Sequence, residues 1–205
     1  DPRTLAMPAP LAFWINAYNA AALLGVLEAG APESVHRIAD YFSAPRLRVG
    51  GHAYSLDDIE HGLLRGNAAP YGRLMAPLCS ADPRLAFAPR LWDERVHFAL
   101  HCASRSAPAL RVFRAATLSA QLETAACTCV EAEVEARPSH GDLQLPMIFK
   151  WYQGDFGGRR GVIAFVVARL EDAAVVDYIE SRGDSLRLAY RAYDWSLNSL
   201  PHEHA

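Results

Sequence analysis

Asn16 and Asn19 stand three residues apart inside an otherwise apolar run, LAFWINAYNAAALLGVLE from Leu11 to Glu28. On a helix that spacing puts both side chains on one face, near the N-terminal end. A buried amide without partners costs about 1–3 kcal/mol, so each must hydrogen-bond to something definite. Two readings stay open. The pair ties down a neighbouring loop, or it lines a polar site at the positive end of the helix, as orienters or oxyanion donors. Cys102 is the candidate nucleophile, with Ser104 and Ser106 following it. A thiol at a strand end near imidazole is open to activation, whereas one packed among apolar groups is inert. His61, beside Glu60 and ahead of Gly62, is the candidate base, with His97 as its alternative. Ser106, Asp194 and Asn198 are the candidate binding groups, and Asn16, Asn19, His61 and Asp194 are expected to satisfy one another or nearby backbone.

His97 and His101 are four apart, good spacing for a metal on a helix. The segment RVHFALHC, Arg95 to Cys102, alternates instead as a strand, with Val96, Phe98, Leu100 and Cys102 on one face and His97 and His101 on the other. Four strand residues span about 13 Å, too far for one ion, so no metal site is expected. No Walker loop, dinucleotide fingerprint, Gly-x-Ser-x-Gly elbow or zincin helix occurs, and no cofactor is expected.

The elements that position these residues follow from periodicity and punctuation. The run around Asn16 is apolar on every side, the mark of a helix buried in a core or a membrane. Asn16, Asn19 and Gly25 interrupt it, and it lacks about 20 uninterrupted apolar residues, so the core reading stands and no transmembrane segment is expected. Gly30 and Ala31-Pro32 stop the helix, and a short helix is expected over 33–41. Gly50-Gly51 between alternating residues predicts a hairpin over 47–54. Ser55 and Asp58 form a capping box for a helix to Arg65, ended by Gly66. Four prolines between Asn67 and Asp93 predict loop. Helices are expected over 117–130, from Pro146 to Tyr152, over 161–170 and over 173–180, with strands over 131–137 and 185–193.

A chain of 205 residues, 51% hydrophobic and 21% charged, is ordinary globular material. The 23 acidic and 20 basic residues give a net charge of −3, and without a basic patch, nucleic acid is not an expected partner. Cys79, Cys102, Cys127 and Cys129 match no zinc or redox spacing. The chain opens on Asp1-Pro2, so a leader or upstream domain is left open, as is the compartment.

Five blocks carry a resemblance. FWINAYNA (Phe13 to Ala20), SLDDIEHGLLR (Ser55 to Arg65), RVHFALHCASRSAPALR (Arg95 to Arg111), IFKWYQGDFG (Ile148 to Gly157) and YDWSLN (Tyr193 to Asn198) resemble domain-of-unknown-function family 547, in that family's order, over about residues 11–198. The resemblance implies membership and no mechanism. A more distant similarity to papain-like and transglutaminase-like folds implies a thiol at the N-terminal end of a buried helix and a histidine on a sheet. Here the helix offers Asn16 or Asn19 in place of that cysteine. Members of the family usually read Ser-Cys-Pro where this chain has Ser106-Ala107-Pro108, so Ala107 occupies a cysteine position, and Cys102 matches the first cysteine of the loop.

The resulting expectation is one α+β domain over 1–205, soluble, with a buried N-terminal helix packed on a small, mostly antiparallel sheet and surrounding helices, cysteine-proteinase-like if the distant similarity holds. Its expected function is that of a binding or degenerate enzyme-like domain recognising a peptide or small molecule in a polar cleft. The alternative is a cysteine-type hydrolase or acyl transferase using Cys102 with a histidine base.

Overall fold

The computed structural model describes residues 8–90 and 92–199. It is α+β, and the described chain falls into two compact units, one of residues 8–121 with 194–199 and one of Leu122–Tyr193.

The first unit is built on α1 (Ala9–Glu28). Its alanines and leucines favour the helix, and Pro10 in the first turn suits the entry, where an N–H has no helical acceptor. Its end is a Schellman turn: Gly30, at φ +74°, donates to Leu27 O at 3.1 Å, and Ala31 donates to Val26 O at 2.9 Å. Eleven of its residues are buried, Trp14 and Ile15 completely. The helix is long and apolar enough to cross a membrane, yet most of it is buried within the protein, as a core helix is. Its exposed positions are Ala20, Leu24, Leu27 and Glu28. Trp14 packs on Tyr54 at 4.9 Å between ring centroids and donates its indole N–H to Phe87 O at 2.8 Å.

The hairpin forms as expected. β1 (Leu47–Val49) and β2 (His52–Tyr54) pair antiparallel across Gly50-Gly51, both at positive φ, as a primed turn demands. The capping box forms too: Ser55 N donates to Asp58 Oδ2 at 2.9 Å and Asp58 N to Ser55 Oγ at 3.0 Å. The helix it starts widens into a π-helix over Asp58–Leu64, closed by Arg65 N on Glu60 O at 2.9 Å. Arg84 braces this corner, donating to Asp58 Oδ2 at 2.9 Å and Ala53 O at 3.0 Å and pairing with Asp82.

Two expectations need correction here. The helix over 33–41 shrinks to a 3-10 turn, Val35–Arg37, because Ile38 is extended and Asp40 takes φ +49°. The strand over 95–102 is absent. Asp93 accepts Arg95 N at 3.0 Å and starts a 3-10 turn, Glu94–Phe98, followed by irregular chain. The alternation misled because every residue from Val96 to Ser104 is buried whatever its parity. His97 and His101 therefore lie in the interior rather than on a polar sheet face.

α2 (Leu118–Glu133) leads into the second unit, where β3 (Glu135–Arg137) and β4 (Asp142–Leu145) pair antiparallel. β5 (Arg187–Tyr190) adds parallel to β4. The expected strand over 131–137 starts late because α2 continues through Glu133. α3 (Ile148–Trp151), α4 (Gly158–Val167) and α5 (Ala173–Arg182) complete the unit. Phe149, Phe156 and Phe165 cluster with centroids 4.9–5.9 Å apart. Position 161 has room only for glycine, since a Cβ there would run into the Phe156 carbonyl oxygen.

Candidate functional site

The two helix asparagines act on the backbone of one loop. Asn16 grips Phe113 by both groups: its amide donates to Phe113 O at 2.7 Å, and its carbonyl accepts Phe113 N at 2.9 Å. Asn19 straddles Leu100, donating to Ala99 O at 3.0 Å and accepting His101 N at 2.8 Å. Both amides thus tie down loop backbone. Gln121, from the first turn of α2, holds the same loop from its other edge. It donates to Val112 O at 2.8 Å and accepts Arg114 N at 2.7 Å. An extended backbone alternates its hydrogen-bonding groups from edge to edge. Asn16 and Gln121 therefore stand where two neighbouring strands would stand around Phe113. A fourth amide, Asn67, grips Leu78 N and O in the proline-rich segment. Sequence reasoning missed Gln121 and Asn67, whose settings carry no periodic signal.

Within the gripped loop, Cys102 is buried and its Sγ lies 3.1 Å from Ser104 Oγ. Ala103 adopts φ +64°, costly for a residue with a Cβ. The Tyr41 hydroxyl lies within hydrogen-bonding distance of Ala22 O and Cys102 O, at 2.9 and 3.1 Å, and fixes the start of the turn. Burial, reinforced by Cys102, raises the Tyr41 phenol well above its usual range, against the opposing charge of Arg46. The His101 ring bonds Pro108 O at 2.6 Å, so its Nδ1 carries the proton. Ala107 is half-buried in the turn that follows, with its N–H on Ser104 O at 3.0 Å.

The structure brings Ser106, Asp194 and Asn198 together. Asp194 N donates to Ser106 Oγ at 2.9 Å and Ser106 N to Asp194 O at 3.2 Å, while Asn198 N reaches Ala103 O at 2.9 Å. The Ser196 hydroxyl and N–H, then Arg105, hold the Asp194 carboxyl below the usual carboxylate range. His61 belongs to a different group. It lies on the π-helix with Arg65 donating to its Nδ1 at 2.9 Å, which leaves the ring proton on Nε2, 3.8 Å from Asp57 Oδ1. Burial raises the Asp57 carboxyl above its ordinary value, opposed by His61 and Arg73 and helped by Glu60. Asn16, Asn19, His61 and Asp194 thus answer to separate neighbours. Among the described residues, no three His, Cys, Asp or Glu side chains gather as a metal site.

A family model described as "Protein of unknown function, DUF547" matches residues 2–128. The chain belongs to the DUF547 family. The match takes in Asn16, Asn19, Asn67, Gln121 and the whole loop that three of these amides hold; the blocks Ile148 to Gly157 and Tyr193 to Asn198 lie beyond it. Comparison with curated proteins returns no match, and comparison with solved structures returns none either. The DUF547 membership fixes a family without an assigned chemistry, so the reading of function rests on the loop itself.

Proposed function

We propose that this chain is a recognition domain for a polypeptide segment, working without covalent catalysis, and that the loop over residues 103–114 is its binding element. One observation carries the reading: the asparagines placed to serve a reaction centre are engaged with the loop's backbone on both sides. A loop ordered in advance loses little conformational freedom on binding, which is where pre-organisation gains affinity. The thiol beside it points to Ser104 in the interior, and Ala107 supplies no nucleophile.

Two measurements on the full chain test this. Alkylation with iodoacetamide near neutral pH, mapped by mass spectrometry, should leave Cys102 unlabelled while exposed Cys79 reacts. Peptides selected from a random display library should protect backbone amides within 103–114 from hydrogen exchange. Rapid labelling of Cys102 together with acyl transfer from an activated ester would restore the cysteine-enzyme reading. Selected peptides that protect other regions would remove the loop from the proposal.

A further inference from the structure

The loop's outer edge carries an unused set of hydrogen-bonding groups and an unbalanced charge. From Pro108 to Arg114 the chain runs without helix, turn or bend. Its last three residues are held on both edges, as described, and Arg114 is extended, at φ −115° and ψ 134°. Ahead of them, among the described residues, the N–H groups of Ala109, Leu110, Arg111 and Val112 and the carbonyls of Ala109, Leu110 and Arg111 make no hydrogen bond within the protein. Extending the alternation backwards from Phe113 places Leu110 N–H, Leu110 C=O and Val112 N–H on the edge away from Asn16. Leu110 and Val112 then share a side-chain face with Arg114, and both are exposed, at 48% and 68%.

The charge is as one-sided as the edge. Between Glu94 and Glu123 the sequence holds Arg95, Arg105, Arg111 and Arg114 and no acidic residue, in a chain of net charge −3. Arg95 is paired with Asp93 and Arg105 lies 3.7 Å from Asp194. Arg111 and Arg114 have no acidic partner among the described residues; Arg111 lies within the open edge, on the face opposite Leu110 and Val112, and Arg114 follows it.

We infer, building on the proposed recognition role, that the ligand is an acidic polypeptide segment that adds as a β-strand to the Leu110–Val112 edge. Its backbone pairs with Leu110 and Val112, its apolar side chains cover theirs, and its carboxylates, on the opposite face, meet Arg111. Strand addition takes affinity from main-chain hydrogen bonds and specificity from alternate side chains. Rim charges add selectivity against the wrong sign of partner.

The test uses the full chain and labelled eight-residue peptides of alternating valine and glutamate, with alternating valine and lysine as the comparison, followed by fluorescence anisotropy. The acidic peptide should bind about tenfold or more tightly than the basic one, and Arg111→Ala, on the glutamate face, should weaken it about threefold and by more than Arg114→Ala, on the valine face. Arg160→Ala, at an exposed site in the second unit, should leave it unchanged. Hydrogen exchange should slow at Leu110 and Val112 in the complex. N-methylating one alternate set of peptide amides should abolish binding while methylating the other set leaves it intact, because a strand pairs along one edge. Equal effects of the two sets, with protection still within the loop, would overturn strand addition and leave the recognition reading standing. An RNA oligonucleotide protecting the same amides as strongly would overturn the inference in favour of simple polyanion binding. Failure of every selected peptide to protect residues 103–114 would remove both.

Discussion

Replacing Asn19 with alanine is the sharpest probe of how this loop is held. Asn19 is 3% exposed, and its two partners, Ala99 O and His101 N, belong to residues that are themselves buried. Alanine removes both bonds and leaves a carbonyl and an N–H in the interior without replacement. At about 1–3 kcal/mol for each stranded group, the loss is about 2–6 kcal/mol, a large fraction of the stability of an ordinary domain. Asn16 offers a matched control, because it makes the same pair of bonds, to Phe113, from a half-buried position. Water can reach that site, so Asn16→Ala should cost nearer the net value of two exchanged hydrogen bonds, about 1–3 kcal/mol. Urea unfolding followed by tryptophan fluorescence, to which buried Trp14 contributes, gives both numbers, provided the slope with denaturant is unchanged. Equal losses for the two variants, or a loss under about 1 kcal/mol for Asn19→Ala, would refute the argument that burial of the asparagine itself sets the cost, since the gripped residues Ala99, His101 and Phe113 are all buried.

Three further outcomes follow from other corners. Asp57→Asn should stabilise the protein at neutral pH. The raised carboxyl means the folded state favours the protonated form, so its contribution to stability is complete below the unfolded pKa and lost as pH rises through the folded one. Urea midpoints at neutral and acidic pH should therefore show a gain for the variant that shrinks as the carboxyl protonates. Gly161→Ala should destabilise the second unit by at least the upper part of about 1–3 kcal/mol, because its Cβ meets the Phe156 carbonyl, whereas a Cβ at Gly62 meets the side chains of Leu78 and Pro77 rather than backbone, and Gly62→Ala should cost less. Thermal melts of the two variants compare them directly. Ala107→Cys should introduce a thiol that alkylates faster near neutral pH than Cys102, since position 107 is half-buried and Cys102 is buried; mapped labelling rates decide it.

Local signals in the sequence carried as far as the local physics did. The all-round apolar run predicted α1, the glycine pair predicted the hairpin, and Ser55 with Asp58 predicted a cap whose two bonds are both present. Each of those features is decided within a few residues. The segment from Arg95 to Cys102 failed for the opposite reason. Its alternation is real in the sequence, but an interior loop buries both parities, and the side chain of Asp93 starts a helical turn before any strand partner is met. The candidate site divided in the same way. That Asn16 and Asn19 needed partners was legible from burial alone. Their partners lie 97 and 80–82 residues away, and nothing in the spacing of Phe113, Ala99 or His101 announces them.

The amide grips also explain how a long irregular stretch can sit in the interior. A buried loop must satisfy every backbone group, which is why loops usually run over the surface. Between Ala99 and Arg114 the usual solution, pairing with neighbouring strands, is replaced by side-chain amides from two helices and by the bridges to Leu197 and Ser196. A side-chain amide satisfies one donor and one acceptor and then ends, whereas a strand continues. The grip on Val112, Phe113 and Arg114 therefore leaves the adjoining residues ordered yet unpaired. A strand in place of Gln121 would have closed that edge along its whole length. The same economy of contact that lets this loop be buried at both ends is what leaves Leu110 and Val112 with backbone groups to offer, and it places the open edge beside the two arginines that lack acidic partners.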